Sequence, residues 1–319
     1  MNYLHAGYGK AASSFLQKHY FTEDNGFLNL SRYPEWDSYL QDGLTTAHSL
    51  YFPTKSRPQL PDNAGSRSLM IGASDEIFLS DGVDYRIKLE RWKEMFPESK
   101  VLIITRNQLD IVFSGYRTWI RDGYFRSLES YIREMIWDMQ ASTLGWLFFD
   151  RAYEITKEYF DEVHMFPYER ISNFKSFLNE INEFFGVDVQ LKNDSVNISS
   201  NDTVVKVLRI LNYFLRYGKG RPYMTLLPSY MHGPTRFKSN NVPGKVPSPR
   251  FRKVVNKLAV RVGSRFPSKV SGREEFFNKY ERLFEDIFGE SNRRVESLLG
   301  EDLGKYGYVG TTAKTTVVD

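Results

Sequence analysis

The segment Val101–Thr105 constrains the fold more than any other part of the sequence. It reads VLIIT, a continuous apolar run rich in β-branched side chains. A strand without alternating polar residues fits a parallel sheet that is covered on both faces. Parallel neighbours need crossover connections, which are usually helices. The segment therefore predicts an α/β fold.

The spacing of apolar residues elsewhere supports this fold class. Further strands are predicted at 2–6 (NYLHA), Leu69–Ala73 and Val163–Pro167. Helices are predicted over Ser13–Tyr20, around Trp36–Leu40, and over Tyr85–Met95, Leu109–Ile120, Leu128–Trp146, Phe174–Phe185 and Arg273–Leu299. Gly186 is expected to end the helix that starts at Phe174. Strands that alternate with helices indicate a P-loop-like parallel sheet flanked by helices.

The length of 319 residues is compatible with one large domain. We expect a single domain over residues 1–310, with 187–272 as a basic, irregular region on the substrate side and 311–319 as a flexible tail. Residues 24–66 are expected to be mostly loops, and 218–250 hold six of the 13 prolines. Aromatic residues make up 15% of the chain, which fits either a bulky core or surfaces that stack on a base or sugar.

The net charge of +4 is modest, but its distribution is uneven. From Asn201 to Arg273 the sequence has 16 Lys and Arg residues and a single acid, Asp202, which gives +15. The rest of the chain must then carry −11. An excess this lopsided favours an anionic partner over a merely solvated surface.

Composition excludes several kinds of site. The chain has no cysteine, so it has no disulfide, thiol nucleophile or thiolate metal site. Its five histidines form no HExxH or comparable pair, so we expect no metal. No apolar run approaches 18 residues, and the N-terminus lacks the features of a signal peptide. A cytoplasmic location is the simplest expectation.

The segment His5–Gln17, HAGYGKAASSFLQ, predicts a phosphate site. A strand ends, small residues turn the chain, and a helix begins. Backbone N–H groups at a helix start are unsatisfied, and the helix dipole adds positive potential, so anions bind there. Lys10 adds a full charge, and two serines add hydroxyl donors. The candidate binding residues are Gly7, Gly9, Lys10, Ala11, Ala12, Ser13 and Ser14.

The loop does not match the phosphate loop of nucleoside triphosphatases. The motif GxxxxGK[ST] would need glycine where Leu4 stands and Ser or Thr where Ala11 stands. The hydroxyl that binds Mg²⁺ in that motif is therefore missing. The site is predicted to hold phosphate without supporting the metal chemistry of ATP. A P-loop-type nucleotide-dependent kinase remains the main rival enzyme, which a Mg²⁺ requirement with ATP turnover would favour.

The loop resembles one from a known family. Sulfotransferases that use PAPS (3′-phosphoadenosine 5′-phosphosulfate) bind its 5′-phosphosulfate with a loop that reads roughly G-x-P-K-x-G-[ST]-[ST]-x-L-Q. Gly7, Lys10, Ser13, Ser14, Leu16 and Gln17 are in register with it. Gly9 replaces the usual proline, and Ala12 replaces the usual glycine. The second change puts a β-carbon where the backbone would approach phosphate closely.

A second segment resembles the same family. Residues 105–116 (TRNQLDIVFSGY) follow the VLII run, and Arg106 stands at the end of that strand, where ligands bind in open α/β sheets. The family binds the 3′-phosphate with R-[ND]-P-x-D-x-x-x-S-x-Y, and Arg106, Asn107, Asp110, Ser114 and Tyr116 match. Gln108 replaces the proline. The resemblance implies that Arg106 and Ser114 bind the 3′-phosphate, completed by a residue of 216–240.

Two weaker similarities lie further along the chain. Phe166–Arg170 (FPYER) resembles the family's "YE" segment, in which Tyr168 either approaches the adenine or is a plain core residue. The C-terminal residues Ser291, Asn292, Asp302, Leu303, Tyr306, Gly307 and Tyr308 are similar to the last helix of bacterial members. We predict a packing role for that set.

The resemblance implies in-line transfer of a sulfuryl group from PAPS to an acceptor hydroxyl, with PAP as product and no metal. Lys10 would neutralise the charge on the leaving oxygen. Family members use His or Glu as the general base. Glu76, after the strand at 69–73, is the first choice, Asp75 is adjacent, and His48 is the runner-up. A structural role for Glu76, such as a helix cap, is equally open.

The acceptor is less defined. Phe251, Val254, Val255, Leu258 and Val262 have helical spacing, with Arg and Lys between them. This pattern fits a core-facing helix, which we favour, or a basic helix on anionic lipid. Contact through 251–265 would place the protein at the inner membrane face, with a glycolipid acceptor. Otherwise the basic region would recognise an acidic glycan as the saccharide acceptor.

Two further function classes fit only part of the sequence. A non-enzymatic anion-binding or nucleic-acid-binding protein could use the basic segment, but no RNP, helix-turn-helix or zinc signature is present. No nucleic-acid partner is therefore expected. A glycosyltransferase fits the fold class, but no DxD-type metal site follows a predicted strand.

Overall fold

The computed structural model describes residues 1–8, 11, 13–40, 56–65, 69–75, 85–121, 125–137, 145, 147–191, 202–215, 254–255, 257–261 and 272–311. Of the predicted site residues, Gly9, Lys10, Ala12, His48 and Glu76 lie outside this set, as does the 216–240 segment.

Five parallel strands form one sheet in the order β2-β3-β1-β4-β5. They are β1 (Asn2–Gly7), β2 (Phe27–Asn29), β3 (Met70–Asp75), β4 (Ser99–Thr105) and β5 (Val163–Pro167). The consecutive residues 3–6 of β1 are fully buried. Successive side chains point to opposite faces of a sheet, so helices cover both faces at β1. The predicted α/β fold class is confirmed.

The helices connect these strands and follow them along the chain. They are α1 (Ser13–Phe15), continued by a π-helical turn (Leu16–Tyr20), α2 (Pro34–Tyr39), α3 (Tyr85–Met95), α4 (Gln108–Arg121), α5 (Leu128–Trp137), α6 (Phe149–Tyr159), α7 (Phe174–Phe185), α8 (Asp202–Leu215) and α9 (Gly272–Leu299). Helix α9 packs on α4 and α6, and α8 packs on α4.

Aromatic side chains fill the core beside β1. The Tyr3 ring stacks on Phe21 at 5.0 Å between centroids, and Phe27 meets Phe185 edge-on at 5.4 Å. The Tyr20 ring packs against Phe21, and its hydroxyl donates a hydrogen bond to Asn182 on α7. Part of the aromatic content of the chain therefore serves core packing in this region.

A buried amide network joins α4 to the C-terminal segment. The Gln108 side chain donates to Oδ1 of Asn292 at 2.6 Å, and Asn292 donates to the carbonyl of Val309 at 2.9 Å. Both amides are almost completely buried. This network gives Gln108 a structural task at the position where the related motif has proline, and it confirms the predicted packing role of Asn292.

Several predicted elements have the bounds that the structure shows, namely Tyr85–Met95, Val163–Pro167 and Phe174–Phe185. Others were missed. Strand β2 lies in the region expected to be loops, α6 was not predicted, and α8 lies in the region expected to be irregular. The helix expected over Leu128–Trp146 is described to Trp137, Gly145 is also helical, and residues 147–148 are not.

The segment expected to face the core at 251–262 departs from that expectation. Its described residues, 254–255 and 257–261, are helical, and Ala259 is buried. Val254 is 61% exposed and Leu258 is 50% exposed, so the core-facing interpretation is wrong for these two side chains, whereas Val255 is half-buried and packs against the core. They are one helical turn apart and share the exposed side of the helix with Lys257 and Arg261. Phe251 and Val262 lie outside the described residues.

None of the helices in the described part of the chain has both the length and the apolar character that a bilayer crossing requires.

Candidate functional site

The carboxyl ends of the central strands meet at one edge of the sheet. Gly7 at the end of β1 is paired with Ile104 of β4, and Thr105 is paired with Pro167 at the end of β5. On the other side, Ala6 is paired with Asp75, the last residue of β3. Ligands of open α/β sheets bind outside this edge, where the strand order reverses. In this sheet the reversal is at β1.

The loop after β1 folds back over Gly7. The N–H of Ala11 donates to the carbonyl of Tyr8 at 3.1 Å, and the Ser13 hydroxyl donates to the same carbonyl at 3.2 Å. A β-carbon at Gly7 would collide with Oγ of Ser13 and press on the His5 ring. Glycine is therefore required at residue 7 because the first helical turn packs directly on it.

The two predicted hydroxyl donors of this loop have different surroundings. Ser13 is 1% exposed, and its hydroxyl is engaged with the Tyr8 carbonyl. Ser14 is exposed at the first turn of the helix. Ser13 thus holds the loop closed, whereas the Ser14 hydroxyl is accessible to a ligand.

Gln17 fixes the start of this helix to the next strand. Its side-chain amide donates to the carbonyl of Ser74 on β3 at 2.9 Å. Gln17 matches the last residue of the phosphosulfate-binding motif, but the motif alone predicted no role for it. The contact shows that it positions the loop of β1 against the end of β3.

Arg106 follows β4 and is oriented by the two residues that follow β5. Its guanidinium lies over the ring of Tyr168, with 4.9 Å between Cζ and the ring centroid. The adjacent Glu169 is half-buried, and desolvation raises the pKa of its carboxyl, an effect that hydrogen bonds from the backbone and the Arg106 charge partly offset. Arg106 is therefore a cation held at the edge between β4 and β5.

Glu169 also organises the loop after β4. Its carboxylate accepts the N–H of Asn107 at 2.9 Å and the hydroxyl of Tyr308 at 3.2 Å. The Asn107 side chain in turn accepts the N–H of Leu109 at 2.9 Å and so caps α4. These bonds fix the backbone that follows Arg106, where β4 leads into α4.

The remaining residues of the second motif lie along α4. Ser114 is half-buried two turns into the helix, and its carbonyl accepts the Thr118 hydroxyl. Asp110 forms a two-point ion pair with Arg273 on α9, at 2.7 and 2.8 Å. Asp110 therefore holds α9 against α4, while the predicted binding role of Ser114 stays a prediction.

Solved structures resemble this chain, whereas family models and curated sequences do not. No protein-family model matches this sequence, and no curated protein sequence matches it. Among solved structures, it is similar to a sulfotransferase from Alicyclobacillus acidocaldarius, with 17% identity, a TM-score of 0.40, and coverage of 72% of this chain and 95% of that chain. It is also similar to mouse sulfotransferase SULT7A1 complexed with PAP, with 17% identity, a TM-score of 0.45, and coverage of 96% and 88%. With 17% identity and TM-scores below 0.5, these similarities assign no role to individual residues of this chain.

The candidates for the general base divide between described and undescribed parts of the chain. Asp75 is the half-buried last residue of β3 and lies beside the strand that carries the phosphate loop. Glu76 is the next residue in the sequence, and both Glu76 and His48 lie outside the described residues. Glu76 and His48 remain predictions.

His5 is a residue of this edge that sequence reasoning did not single out. It is fully buried, its ring stacks on Phe21, and its Nδ1 lies 2.7 Å from the hydroxyl of Ser74. Burial lowers the pKa of His5 to about 3, so the ring is neutral. The ring packs against Gly7, where the loop that follows β1 begins. A histidine inside an otherwise apolar strand was the only signal available in the sequence.

The residues that the structure describes contain no group of three His, Asp or Glu side chains able to hold a metal ion.

Proposed function

We propose that this protein is a sulfotransferase that moves the sulfuryl group of PAPS to an acceptor hydroxyl. The observation that carries the proposal is the register of β1 and β4. Because Gly7 lies opposite Ile104, the loop that contains Lys10 and the loop that contains Arg106 leave neighbouring strands at the same edge. A ligand with phosphates at both ends of one adenosine would be bound by both loops.

Each motif has a defined task in this proposal. The loop from Gly7 to Ser14 receives the 5′-phosphosulfate, with Lys10 and the exposed Ser14 as side-chain donors. Arg106 binds the 3′-phosphate through its planar fork of donors. Ser114 and a residue of 216–240 would complete that subsite. Tyr168 and Glu169 position Arg106.

The transfer needs no covalent intermediate because the donor already has a good leaving group. The acceptor oxygen attacks sulfur, the bond from sulfur to the bridging phosphate oxygen breaks, and PAP leaves with that oxygen negatively charged. Lys10 neutralises the charge. The base, Glu76 in our assignment, takes the proton of the acceptor hydroxyl.

The acceptor that we propose is a saccharide or glycolipid at an anionic membrane surface. The exposed side chains of Val254 and Leu258 lie beside Lys257 and Arg261 on one side of a helical segment. Apolar side chains flanked by basic ones bind the boundary between headgroups and acyl chains. The excess of +15 over 201–273 supports an anionic surface as the partner.

Vesicle binding tests this part of the proposal. At low salt the protein should bind vesicles of phosphatidylcholine mixed with phosphatidylglycerol and not vesicles of phosphatidylcholine alone. The double variant V254S/L258S should lose most of this binding. Leu298→Ser, which changes a side chain of α9 that is 49% exposed, is the matched control and should bind as wild type. Equal binding by both variants would remove 251–265 from the interface.

Titration with PAP tests the donor site. Lys10→Ala and Arg106→Ala should each weaken binding by about tenfold or more, the usual effect of losing a hydrogen bond to a charged group. Arg86→Ala removes an exposed arginine that pairs with Glu158 on α6 and should not change PAP affinity. Unchanged affinity in both site variants would overturn the proposed function.

A further inference from the structure

A cavity of about 280 Å³ lies where α4, α5, α8 and α9 meet. None of the described residues that we assign to the donor site or the base lines it. This cavity therefore lies on the helical layer, apart from the described part of the strand edge. The question is what such a cavity could hold.

Aromatic rings form much of its wall. Phe113 and Tyr116 come from α4, and Phe276 and Tyr280 come from α9. Phe113 and Phe276 are stacked, with 5.3 Å between their centroids. Each of the four rings is at most 8% exposed. These walls provide apolar surface against which a ring-shaped ligand can pack.

Two buried donors in this wall have no hydrogen-bond acceptor among the described residues. They are Nη2 of Arg117 and the hydroxyl of Tyr280. Lys279, which interacts with the Tyr280 hydroxyl, is itself a donor. Leaving a buried polar group unpaired costs about 1–3 kcal/mol, and more for a charged one. Native proteins rarely keep such groups unless a ligand or water satisfies them. Both donors belong to one cavity, which indicates a polar occupant.

The charge of the cavity indicates an anion. Nη1 of Arg117 pairs with Oδ1 of Asp202 at 2.9 Å, but the other carboxylate oxygen is engaged with the N–H of Gly272. One edge of the guanidinium is therefore left without a carboxylate. Lys206 and Arg209, one turn apart on α8, also line the cavity. Burial lowers the pKa of Arg117 because the guanidinium is poorly solvated.

Four cationic and three acidic side chains line the cavity, which leaves a net charge of +1. Besides Asp202, the cavity wall includes Glu129 and Glu275. Glu129 pairs with Lys279 at 3.4 Å. The first turn of α5 also lines the cavity, and unsatisfied N–H groups at a helix start add positive potential.

We propose that this cavity binds a small ligand that combines one six-membered ring with one negatively charged group. An apolar cavity of about 150 Å³ accommodates benzene, so about 280 Å³ has room for a ring and its charged substituent. The ring packs on the aromatic wall, and the charged group accepts hydrogen bonds from Arg117 and Tyr280. Such a ligand is either an aromatic carboxylate or a sugar acid. The proposal does not depend on the sulfotransferase assignment.

Binding of four probes to the full chain tests it and separates the two sources. Benzoate and methyl glucuronide carry the charge, while benzyl alcohol and methyl glucoside are their uncharged counterparts. At least one charged probe should bind tightly enough to be measured, and at least tenfold more tightly than its counterpart. Tyr280→Phe and Lys206→Gln should each weaken that binding several-fold. Lys93→Gln, an exposed change on α3, should not.

Three results would overturn the proposal. The first is equal binding of charged and uncharged probes. The second is a Tyr280→Phe protein that binds the charged probe like wild type and needs more denaturant to unfold, since that would mean the hydroxyl is simply an unpaired group. The third is displacement of the charged probe by saturating PAP, which would make the cavity part of the donor site.

Discussion

The guanidinium of Arg106 lies over the ring of Tyr168, with 4.9 Å from Cζ to the ring centroid. The two residues leave adjacent parallel strands, β4 and β5, and their contact bridges the edge where the donor site is proposed. A cation over an aromatic face is stabilised by about 0.5–2 kcal/mol, depending on solvation. The contact therefore restricts the directions in which Arg106 can present its donors.

Tyr168→Leu should lower PAP affinity several-fold, because Arg106 loses the ring that orients it. In a double-mutant cycle with Arg106→Ala, the second change should have little further effect, since both act through one guanidinium. Calorimetric titration with PAP measures all four affinities. Phe184→Leu is the matched control, because its ring packs under Lys100 near the start of β4, away from this edge. Additive losses in the cycle would show that Tyr168 acts independently of Arg106.

Gly7→Ala should destabilise the protein by about 1–3 kcal/mol, the usual cost of forcing a methyl group into a packed site. Ser13→Ala should cost about 1 kcal/mol because the Tyr8 carbonyl loses a donor. The double variant should lose less than the sum, since removing Oγ relieves part of the collision. Urea unfolding measures the three changes. Ser14→Ala, on the exposed neighbour, should stay within about 0.5 kcal/mol of wild type; a comparable loss there would contradict the assigned packing.

The strand edge could be predicted from the sequence because its signals are local. The run Val101–Thr105 identified the central region of the sheet, and Gly186 marked the end of α7, where its φ of 71° favours glycine. Gly7 and Arg106 then followed from their positions after two strands. Parallel pairing placed both at one edge without any knowledge of tertiary contacts.

What the sequence missed depends on distant partners. Strand β2 has three residues and exists through its pairing with β3, a contact between Phe27 and Met70. Helix α6 buries Asp150 and Thr156, which interrupt the apolar spacing and are satisfied by Ser291 and Tyr85. The inward bond of Ser13 likewise depends on how the loop closes. No local pattern encodes these contacts.

Glu76→Gln should lower kcat by roughly 10²-fold or more, the usual effect of losing a general base, and should leave PAP affinity unchanged. Asp75→Asn and His48→Asn, made in parallel, should retain most of the activity. Turnover of PAPS with a saccharide acceptor gives the rates, and PAP titration confirms that each variant keeps its donor site. Near-normal turnover in Glu76→Gln with a loss in either of the other two would transfer the role of base to that residue.

His5 should make the protein sensitive to mild acid. Burial lowers its pKa to about 3 in the folded chain, whereas an unfolded histidine has a pKa of about 6.5. Above pH 6.5 neither state binds the proton, so His5 has no effect on stability. Between these two pKa values the proton binds mainly to the unfolded chain. The free energy of unfolding therefore decreases as the pH is lowered, by up to about 1.4 kcal/mol per pH unit.

The double variant H5F/S74A should remove this dependence. It replaces both partners of the buried hydrogen bond with apolar groups, keeps a ring against Phe21, and leaves no unpaired hydroxyl. Between pH 7 and pH 5 it should lose roughly 2 kcal/mol less unfolding free energy than wild type. Ser74→Ala alone retains the buried imidazole and should lose as much as wild type. Urea unfolding at both pH values measures the difference, and a double variant with the wild-type loss would mean that the ring is protonated inside the folded protein.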